Sequence, residues 1–499
     1  MGLAFFRQRS GGALAVILAA AFAIRAVALW TQVYVVFLDE TFQYFEQAHR
    51  LVFGNGVLPW EFIDGIRSWF LPGLIAVLMR ITSVLTDEPM AYIRLTRLLC
   101  AAASLSVVYV GFRMAERRDG MAGAVLAGGL SAIWFDLIWF APAVMTEVLA
   151  THVLLAALWL NESRPDGLPR RMYLAGALFG LAFCLRYQYA PVIGVVVLWQ
   201  TRLDWPRWGR LIAGGLAVAL PLAGLLDWFT WGAPFQSMWL NYIRNSIEGM
   251  SAAISVEPPL YYIAYLWVAL SPAPILLVLA IIGGLRAPAL GLAALVTLLL
   301  HLAVPHKEVR FIYLTLAVAP ALIALGCNAI LGALQARLGP NAVRFGTPAL
   351  LGLFAILSWH LGTSPPLGSR WEFERASLQT FALARQQPAL CGLAVRDTFF
   401  DSGGYTYLHR DVPLYYADFD PARSLEVTAI KMRLLIMRHD QPVPQFPGAA
   451  LDDATAHYNF LVARADHATA GYSPIGCFND AEREGRPALC LFSRPGGCS

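Results

Sequence analysis

Apolar stretches of about twenty residues recur through the first 362 positions, and nothing constrains this chain more. They fall at 11–31, 98–114, 121–140, 144–160, 211–231, 262–284, 288–304, 312–334 and 345–362. A helix needs ~20 apolar residues to span a bilayer core. A further stretch, 172–200, is too long for one helix and is broken by Arg186, so it reads as two short ones. The run at 11–31 is too long for the apolar region of a cleavable signal peptide. No small-residue cleavage site precedes the polar stretch, so it is expected to remain as the first crossing.

Charge agrees with this division. Only 14% of the 499 residues are charged, mean hydropathy is +0.56 and the net charge is +4, against about 25% charged in an average soluble domain. That balance excludes disorder, a coiled coil, a collagen-like repeat and a basic nucleic-acid binder. The first 362 residues carry 42 charges and the last 137 carry 28. The expected organisation is therefore a membrane domain over 1–362 and an extracytoplasmic domain over 363–499.

Lys and Arg placement sets the orientation. Clusters at Arg7/Arg9, Arg113/Arg117/Arg118, Arg164/Arg170/Arg171, Arg202/Arg207/Arg210, Arg286 and Arg337/Arg344 hold 14 of the 24 basic residues before position 363. Keeping them all inside gives eleven crossings, a cytoplasmic N-terminus and an outer C-terminal domain. The apolar segment 69–86 would put Arg113–Arg118 on the wrong side if it crossed, so it is expected to re-enter or skim the membrane. Ten basic residues are left over: Arg25, Arg50, Arg67, Arg80, Arg94, Arg97, Arg186, Arg244, Lys307 and Arg310. A cation at membrane depth is costly and usually lines a cavity or meets an anion.

Of seven cysteines, Cys100, Cys184 and Cys327 sit in apolar helices as packing residues. Cys391, Cys477, Cys490 and Cys498 all lie in the tail, an even number that suggests two disulfides with three possible pairings. No CxxC or HExxH spacing occurs, and neither a metal nor another cofactor is called for.

Three polar islands fall on the outer face. The first begins at Asp39-Glu40 and continues through TFQYFEQAHRLVFGNG. Phe42, Phe45, His49 and Val52 recur at helical spacing, as do Gln43, Glu46 and Arg50, which predicts an amphipathic interfacial helix started by Asp39 and stopped by Gly54. Helix capping is one account of the two carboxylates. The other is that a carboxylate just outside a crossing takes the proton of a substrate hydroxyl. The second island, Trp60-Glu61-Phe62 then Gly65-Ile66-Arg67-Ser68-Trp69, pairs aromatic rings with charge. Rings stack on a sugar's C–H faces while carboxylates meet its hydroxyls, and an interfacial aromatic belt is the rival account.

The third island is His306-Lys307-Glu308-Val309-Arg310-Phe311, where Lys307 is one of only two lysines in the chain. A basic cluster on the outer face suits an anionic head group, above all a phosphate; a helix end salt-bridged through Glu308 is the alternative. Arg186, where the 172–200 stretch breaks, and Glu147, after Pro142, share that face. For these two an internal ion pair and helix capping are the alternatives. The loop 232–261 is long enough to form a lid.

A base at one end of a cavity and an anion-holding wall at the other would move a sugar from a lipid phosphate to a hydroxyl. The run DETFQYFEQAHRLVFGNG…WEF…GIRSW, followed later by HKEVRF, resembles the GT-C mannosyltransferases that use dolichyl-phosphate-mannose, over most of residues 20–320. The resemblance implies a catalytic role for Asp39 with Glu40 as its acidic neighbour. It also implies a donor-phosphate role for His306, Lys307 and Arg310, with Arg67 as the arginine of an RS motif. The family usually has His-Pro before the acidic pair, where this chain has Phe37-Leu38. Arg186 is expected beside the donor phosphate, and Trp60, Glu61, Arg67 and Glu147 beside the substrates.

Preference for Arg over Lys and richness in Ala, Leu and Gly point to a GC-rich bacterial source. The expected donor is then a polyprenyl-phosphate sugar, with mannose implied, and the acceptor a glycan or glycolipid hydroxyl. The site would face the periplasm across an inner membrane, or the endoplasmic reticulum lumen in a eukaryote. The fold expected is mainly α: about eleven transmembrane helices, amphipathic helices in the first outer loop and a small α/β tail. A transporter or flippase of lipid-linked sugars is the rival class. It should show an inverted repeat and charges at the bilayer midplane, whereas no repeat is found and the charges gather at one face.

Overall fold

The computed structural model describes residues 2–162, 169–396, 402–416, 434–445, 455–467, 469–479 and 485–498, and side chains from residue 10 onward. Arg164 and Lys431, and the side chains of Arg7 and Arg9, lie outside the described residues. The chain is mainly helical and divides into two compact units. The first comprises Met1–Trp30, Arg97–Trp228 and Ser255–Gly368; the second comprises Thr31–Thr96, Phe229–Ile254 and Ser369–Ser499.

The first unit is a helical bundle. Its longest helices are Gly2–Thr31, Tyr313–Leu338 and Asn341–Thr363, while Leu105–Ile133 is broken at Gly120, where φ is 70° and ψ −159°. Among the described residues five helices are long and apolar enough to cross a bilayer. A sixth crossing is gained if Tyr261–Ala269 and Ala273–Arg286, bent by 99° at their break, form one span. Length and composition thus account for five or six of the eleven expected crossings. The rest of that number would fall on shorter helices such as Thr146–Asn161, Pro169–Leu185, Ala190–Thr201 and Pro288–Leu302. The span Val309–Leu338 has 83% of its most apolar window buried, whereas Asn341–Thr363 has 17%. The former is the centre of the bundle, and the latter turns Leu353, Ile356 and Trp359 outward. The break predicted near Arg186 is present: Pro169–Leu185 ends, Tyr187–Tyr189 makes one 3-10 turn, and Ala190–Thr201 begins.

Helices approach closely where glycines meet. A Cβ at Gly176 would collide with the Leu211 carbonyl, and one at Gly214 with the Tyr173 carbonyl, so Pro169–Leu185 and Trp205–Ala219 touch through backbone. Without a hydrophobic drive between helices in lipid, such small-residue contacts supply the packing.

The second unit assembles three distant stretches. The first outer loop forms a π-helical turn Glu40–Phe45, the helix Glu46–Phe53 and strand β1 (Gly56–Pro59). Gly54, at φ 77°, stops the helix as predicted. The tail supplies β2 (Leu393–Val395), β3 (Leu414–Tyr416), β4 (Leu434–Arg438), β5 (Gln441–Pro442), β6 (Phe460–Arg464), β7 (Ser473–Phe478) and β8 (Leu489–Ser493). Five of these form one mixed sheet in the order β3-β2-β6-β8-β7. β2 runs parallel to β3 and β6, and β8 pairs antiparallel with β6 and β7. β1 leaves the first outer loop to pair antiparallel with β4, Gly56 opposite Met437 and Pro59 opposite Leu434. Two disulfides, Cys391–Cys498 and Cys477–Cys490, hold the tail, while Cys100, Cys184 and Cys327 are free and buried.

One expectation needs correction. The helix after Asp39 is not a half-exposed interfacial helix, since its polar residues Gln43 and Glu46 are as buried as its apolar Phe42 and Phe45. Gln43 and Gln47 are satisfied within the first outer loop, by Glu61 and by the Phe42 and Val57 carbonyls, while Glu46 accepts from Val57 and from Thr406 of the tail. In the segment 69–86, expected to re-enter or skim the membrane, the helix Phe70–Ser83 has 14 residues. It buries Ile75 and Met79 while Leu74, Val77 and Ile81 stay exposed.

Candidate functional site

The candidate residues form two groups, one in each unit. In the helical unit the group surrounds the loop between Pro288–Leu302 and Tyr313–Leu338. Pro305 cannot continue the preceding helix, and Glu308 sits in extended conformation before the 3-10 turn Val309–Ile312. His306, Lys307 and Arg310 are each less than 10% exposed, as are Glu147 and Arg186. Arg186 pairs with Glu147, and Arg310 Nε lies 4.0 Å from the same carboxylate. Arg310 also pairs with Glu308, whose Oε1 is 3.2 Å from His306 Nε2. His306 Nδ1 meets Ser255 Oγ at 2.8 Å. The Phe311 ring carries the Arg186 guanidinium at 5.0 Å on the centroid and that of Arg310 at 5.4 Å. Two of the three Lys307 ammonium donors go to the carbonyls of Val304 and Pro305, at 2.7 and 3.4 Å, near the preceding helix's C-terminus.

This group unites five residues expected from sequence, Glu147, Arg186, His306, Lys307 and Arg310, drawn from three separate stretches. It also realises both alternatives: Arg186 has its internal ion pair and Glu308 neutralises its neighbours. Burial works to raise the Glu308 carboxyl, but Arg310 and His306 outweigh it and hold its pKa down at about 2. Arg186, Lys307 and Arg310 share the group with two carboxylates, Glu147 and Glu308, an excess of one positive charge before His306 is counted. Sequence reasoning did not single out Glu308, Phe311 or Tyr262 as site residues. Tyr262 brackets Glu308, its hydroxyl donating to the Glu308 carbonyl at 3.1 Å and accepting from the Glu308 N–H at 3.2 Å. The signal for the first two lay in HKEVRF itself.

In the second unit, Asp39 heads the π-helical turn and makes no side-chain capping hydrogen bond to it, so capping does not explain this carboxylate. Glu40 is fully buried, and its Oε2 accepts the Val36 N–H at 3.3 Å. Gln43 donates to Glu61 Oε1 at 2.8 Å. Trp60, 5% exposed, packs with Ile66 and Met250. Its ring is therefore spent on the core, and the less buried Trp69 and Trp231 stand 6.2 Å apart beside Phe62. Trp231 Nε1 donates to the Arg67 carbonyl at 3.0 Å. The loop expected as a lid forms the short helices Gln236–Tyr242 and Met250–Ile254, and Asn241 Nδ2 donates to the Ile66 carbonyl at 3.3 Å. π-turns concentrate at functional sites, and nothing in the residue pattern distinguishes one from an α-helix. Among the described residues no His, Cys, Asp and Glu cluster suits a metal ion.

The sequence model of a family described as the Alg9-like mannosyltransferase family matches residues 15–364. The chain is 27% identical to GPI mannosyltransferase 3 of Yarrowia lipolytica over 289 residues, 55% of either chain. It thus spans about half the length of that relative. It is 23% identical to GPI mannosyltransferase 3 of Trypanosoma brucei brucei over 428 residues, covering 75% of this chain and 73% of the relative. Among solved structures, ArnT from Cupriavidus metallidurans bound to undecaprenyl phosphate superposes with a TM-score of 0.63 at 15% identity, over 96% of this chain and 98% of that one. An Archaeoglobus fulgidus oligosaccharyltransferase tethered to an acceptor peptide superposes with a TM-score of 0.53 at 11% identity, over 92% and 69%. At such identities these two likenesses speak for the fold alone.

Proposed function

The chain belongs to the Alg9-like mannosyltransferase family, and from that premise we propose that it transfers a mannosyl residue from a polyprenyl phosphate to a hydroxyl of a glycan or glycolipid. Transfer takes place on the outer face of the membrane, periplasmic in a bacterium. The observation that carries this reading is the buried gathering of Arg186, His306, Lys307 and Arg310 around Glu147 and Glu308. Such a group, with one positive charge in excess, suits a lipid phosphate, the ligand named for the ArnT structure of the same fold.

In the proposed reaction the acceptor oxygen attacks the anomeric carbon as the bond from that carbon to the phosphate oxygen breaks. The hydroxyl proton passes to Asp39. The bonding pair leaves with the phosphate, whose growing charge meets Arg310, Arg186 and the remaining Lys307 donor. Glu308 must turn away or share its arginine as the phosphate enters. Charge-assisted donors that strengthen as charge develops lower the barrier most. A single displacement inverts the anomeric carbon, so a β-linked donor gives an α-linked product. Glu40, Glu61 and Arg67 are assigned to substrate hydroxyls beside Asp39, and Trp60 acts from behind as packing.

The test is to incubate purified protein with several polyprenyl-phosphate sugars and an acceptor extract, following consumption of each donor. Asp39→Asn should cut turnover about a thousandfold, the middle of the range for a lost general base, with the protein still folded. Lys307→Ala should raise the donor KM roughly ten- to a hundredfold and leave that of the acceptor nearly unchanged. Wild-type turnover by Asp39→Asn would remove the base from the reaction. Translocation of donor without sugar transfer would replace the enzyme by a flippase.

A further inference from the structure

Glu46 begins the helix Glu46–Phe53, and its own N–H closes the π-turn by donating to the Thr41 carbonyl. Its carboxylate is completely buried and receives three donors. The Val57 N–H approaches at 2.7 Å, the Thr406 N–H at 2.6 Å and the Thr406 hydroxyl at 2.5 Å. Two of these come from a residue 360 positions away. Gly404 makes the approach possible: at φ 59° a Cβ there would stand 2.6 Å from Glu46 Oε1. The tail segment is itself held, since Tyr92 Oη donates to the Thr406 carbonyl at 2.8 Å and the Gly404 N–H donates to Ser402 Oγ at 3.1 Å. One turn along the helix a second tie joins His49 Nε2 to His409 Nδ1 at 3.1 Å.

We propose that Glu46 and Thr406 form a clamp by which the tail positions the π-turn that carries Asp39 and Glu40, making Glu46 and Thr406 positioning residues for sugar transfer. The proposal rests on the reading of Asp39 as the base. An apolar pair would tie the helix to the tail with less desolvation, because burying a carboxylate is expensive unless every lone pair is met. What the carboxylate adds is directional: three fixed donors are satisfied at only one axial position and one rotation of the helix. A slip or twist would leave a buried carboxyl oxygen without its donors. Because the last π-turn bond ends on Glu46, fixing Glu46 fixes the turn, and Asp39 lies seven residues upstream at its head.

Thr406→Val keeps the shape of the side chain and removes one donor; Thr406→Ser keeps the donor. In Thr406→Val, kcat should fall about ten- to a hundredfold, the usual consequence of a misplaced reacting group, with the KM for a polyprenyl-phosphate mannose donor within about twofold of wild type. Hydrogen exchange read by mass spectrometry should accelerate roughly tenfold in residues 40–47 and stay unchanged in β6. Thr406→Ser should restore both. Glu46→Gln preserves volume and gives the same two readouts should Thr406→Val not accumulate. Wild-type kcat in Thr406→Val, unchanged exchange in 40–47, or equal acceleration in β6 would overturn the clamp. Asp39→Asn assayed alongside separates the two questions: an active Asp39→Asn enzyme removes the base assignment, and wild-type kcat in Thr406→Val removes the clamp.

Discussion

Glu46 and His49 face the tail from one side of the same helical turn, and burial drives them in opposite directions. Burial pushes the Glu46 carboxyl up to about 7 against its hydrogen bonds to Thr406 and Val57. It pushes His49 down to about 3, against the hydrogen bond to the Asn55 carbonyl and with help from His409. Between an ordinary 4.5 and about 7, folded Glu46 holds a proton that the unfolded chain releases, so stability falls as pH rises through that window, by about 3 kcal/mol in all. Between 6.5 and about 3, the unfolded chain binds a proton that folded His49 refuses, so stability falls as pH drops, by about 5 kcal/mol. The two slopes oppose each other from 6.5 to 4.5, and of this pair the histidine alone acts below. His409, also lowered first by burial, and Asp411, held down by Arg438 and His439 despite burial, add to the acid loss. Thermal melts in detergent should therefore show wild type losing less stability between pH 6.5 and 4.5 than Glu46→Gln, because the variant lacks the opposing slope. Below pH 4.5 the two profiles should run parallel, and parallel profiles over the whole range would refute the assignment. None of this is legible in sequence, where Glu46 reads as the polar face of an interfacial helix. The phosphate-side residues were legible because HKEVRF is contiguous, while the Glu147 partner of Arg186 stands 39 positions away and no local pattern announces it.

At the scale of elements, the hydropathy pattern locates helices well because lipid demands that each one satisfy its own backbone. The break at Arg186 and the stop at Gly54 were readable from a charge and a glycine. Burial of the Glu46–Phe53 helix was not, because its cover comes from the far end of the chain. Helix contacts depend on which glycines face a neighbour, and the sequence does not distinguish those from glycines facing lipid. Gly176 and Gly180 meet the backbone of Leu211 and Gly215, whereas a Cβ at Gly194 would meet nothing within 4 Å. Gly176→Ala and Gly180→Ala should each destabilise the protein by about 1–3 kcal/mol, as overpacking does, and lower its melting temperature in detergent. Gly194→Ala should leave it unchanged or slightly raised. Equal effects at all three positions would mean that helix propensity, and not contact, governs this pair.

At the scale of the whole molecule, the disulfides Cys391–Cys498 and Cys477–Cys490 are of a kind rare in the cytosol, which supports the proposed orientation with the tail outside. That support is independent of the basic clusters, from which the same orientation is expected. The clusters are also paired within the helical unit, Arg118 with Glu162 and Arg286 with Asp119. Pairing of this kind could have hollowed out the positive-inside argument, which counts Lys and Arg and gives acidic residues little weight. Orientation can be read with single introduced thiols, since the free native cysteines Cys100, Cys184 and Cys327 are all buried. Thr86→Cys and His467→Cys, both at exposed positions, should react with a membrane-impermeant maleimide in intact spheroplasts. Leu203→Cys and Ala336→Cys, equally exposed, should react only after permeabilisation. Labelling of position 336 from the same side as 467 would mean an even number of crossings between Ala336 and the tail. The helix Asn341–Thr363, the one long apolar helix joining them, would then not span. With the tail outside, Lys307 and the phosphate-holding group would move to the cytoplasmic leaflet, away from the carboxylate proposed to drive transfer.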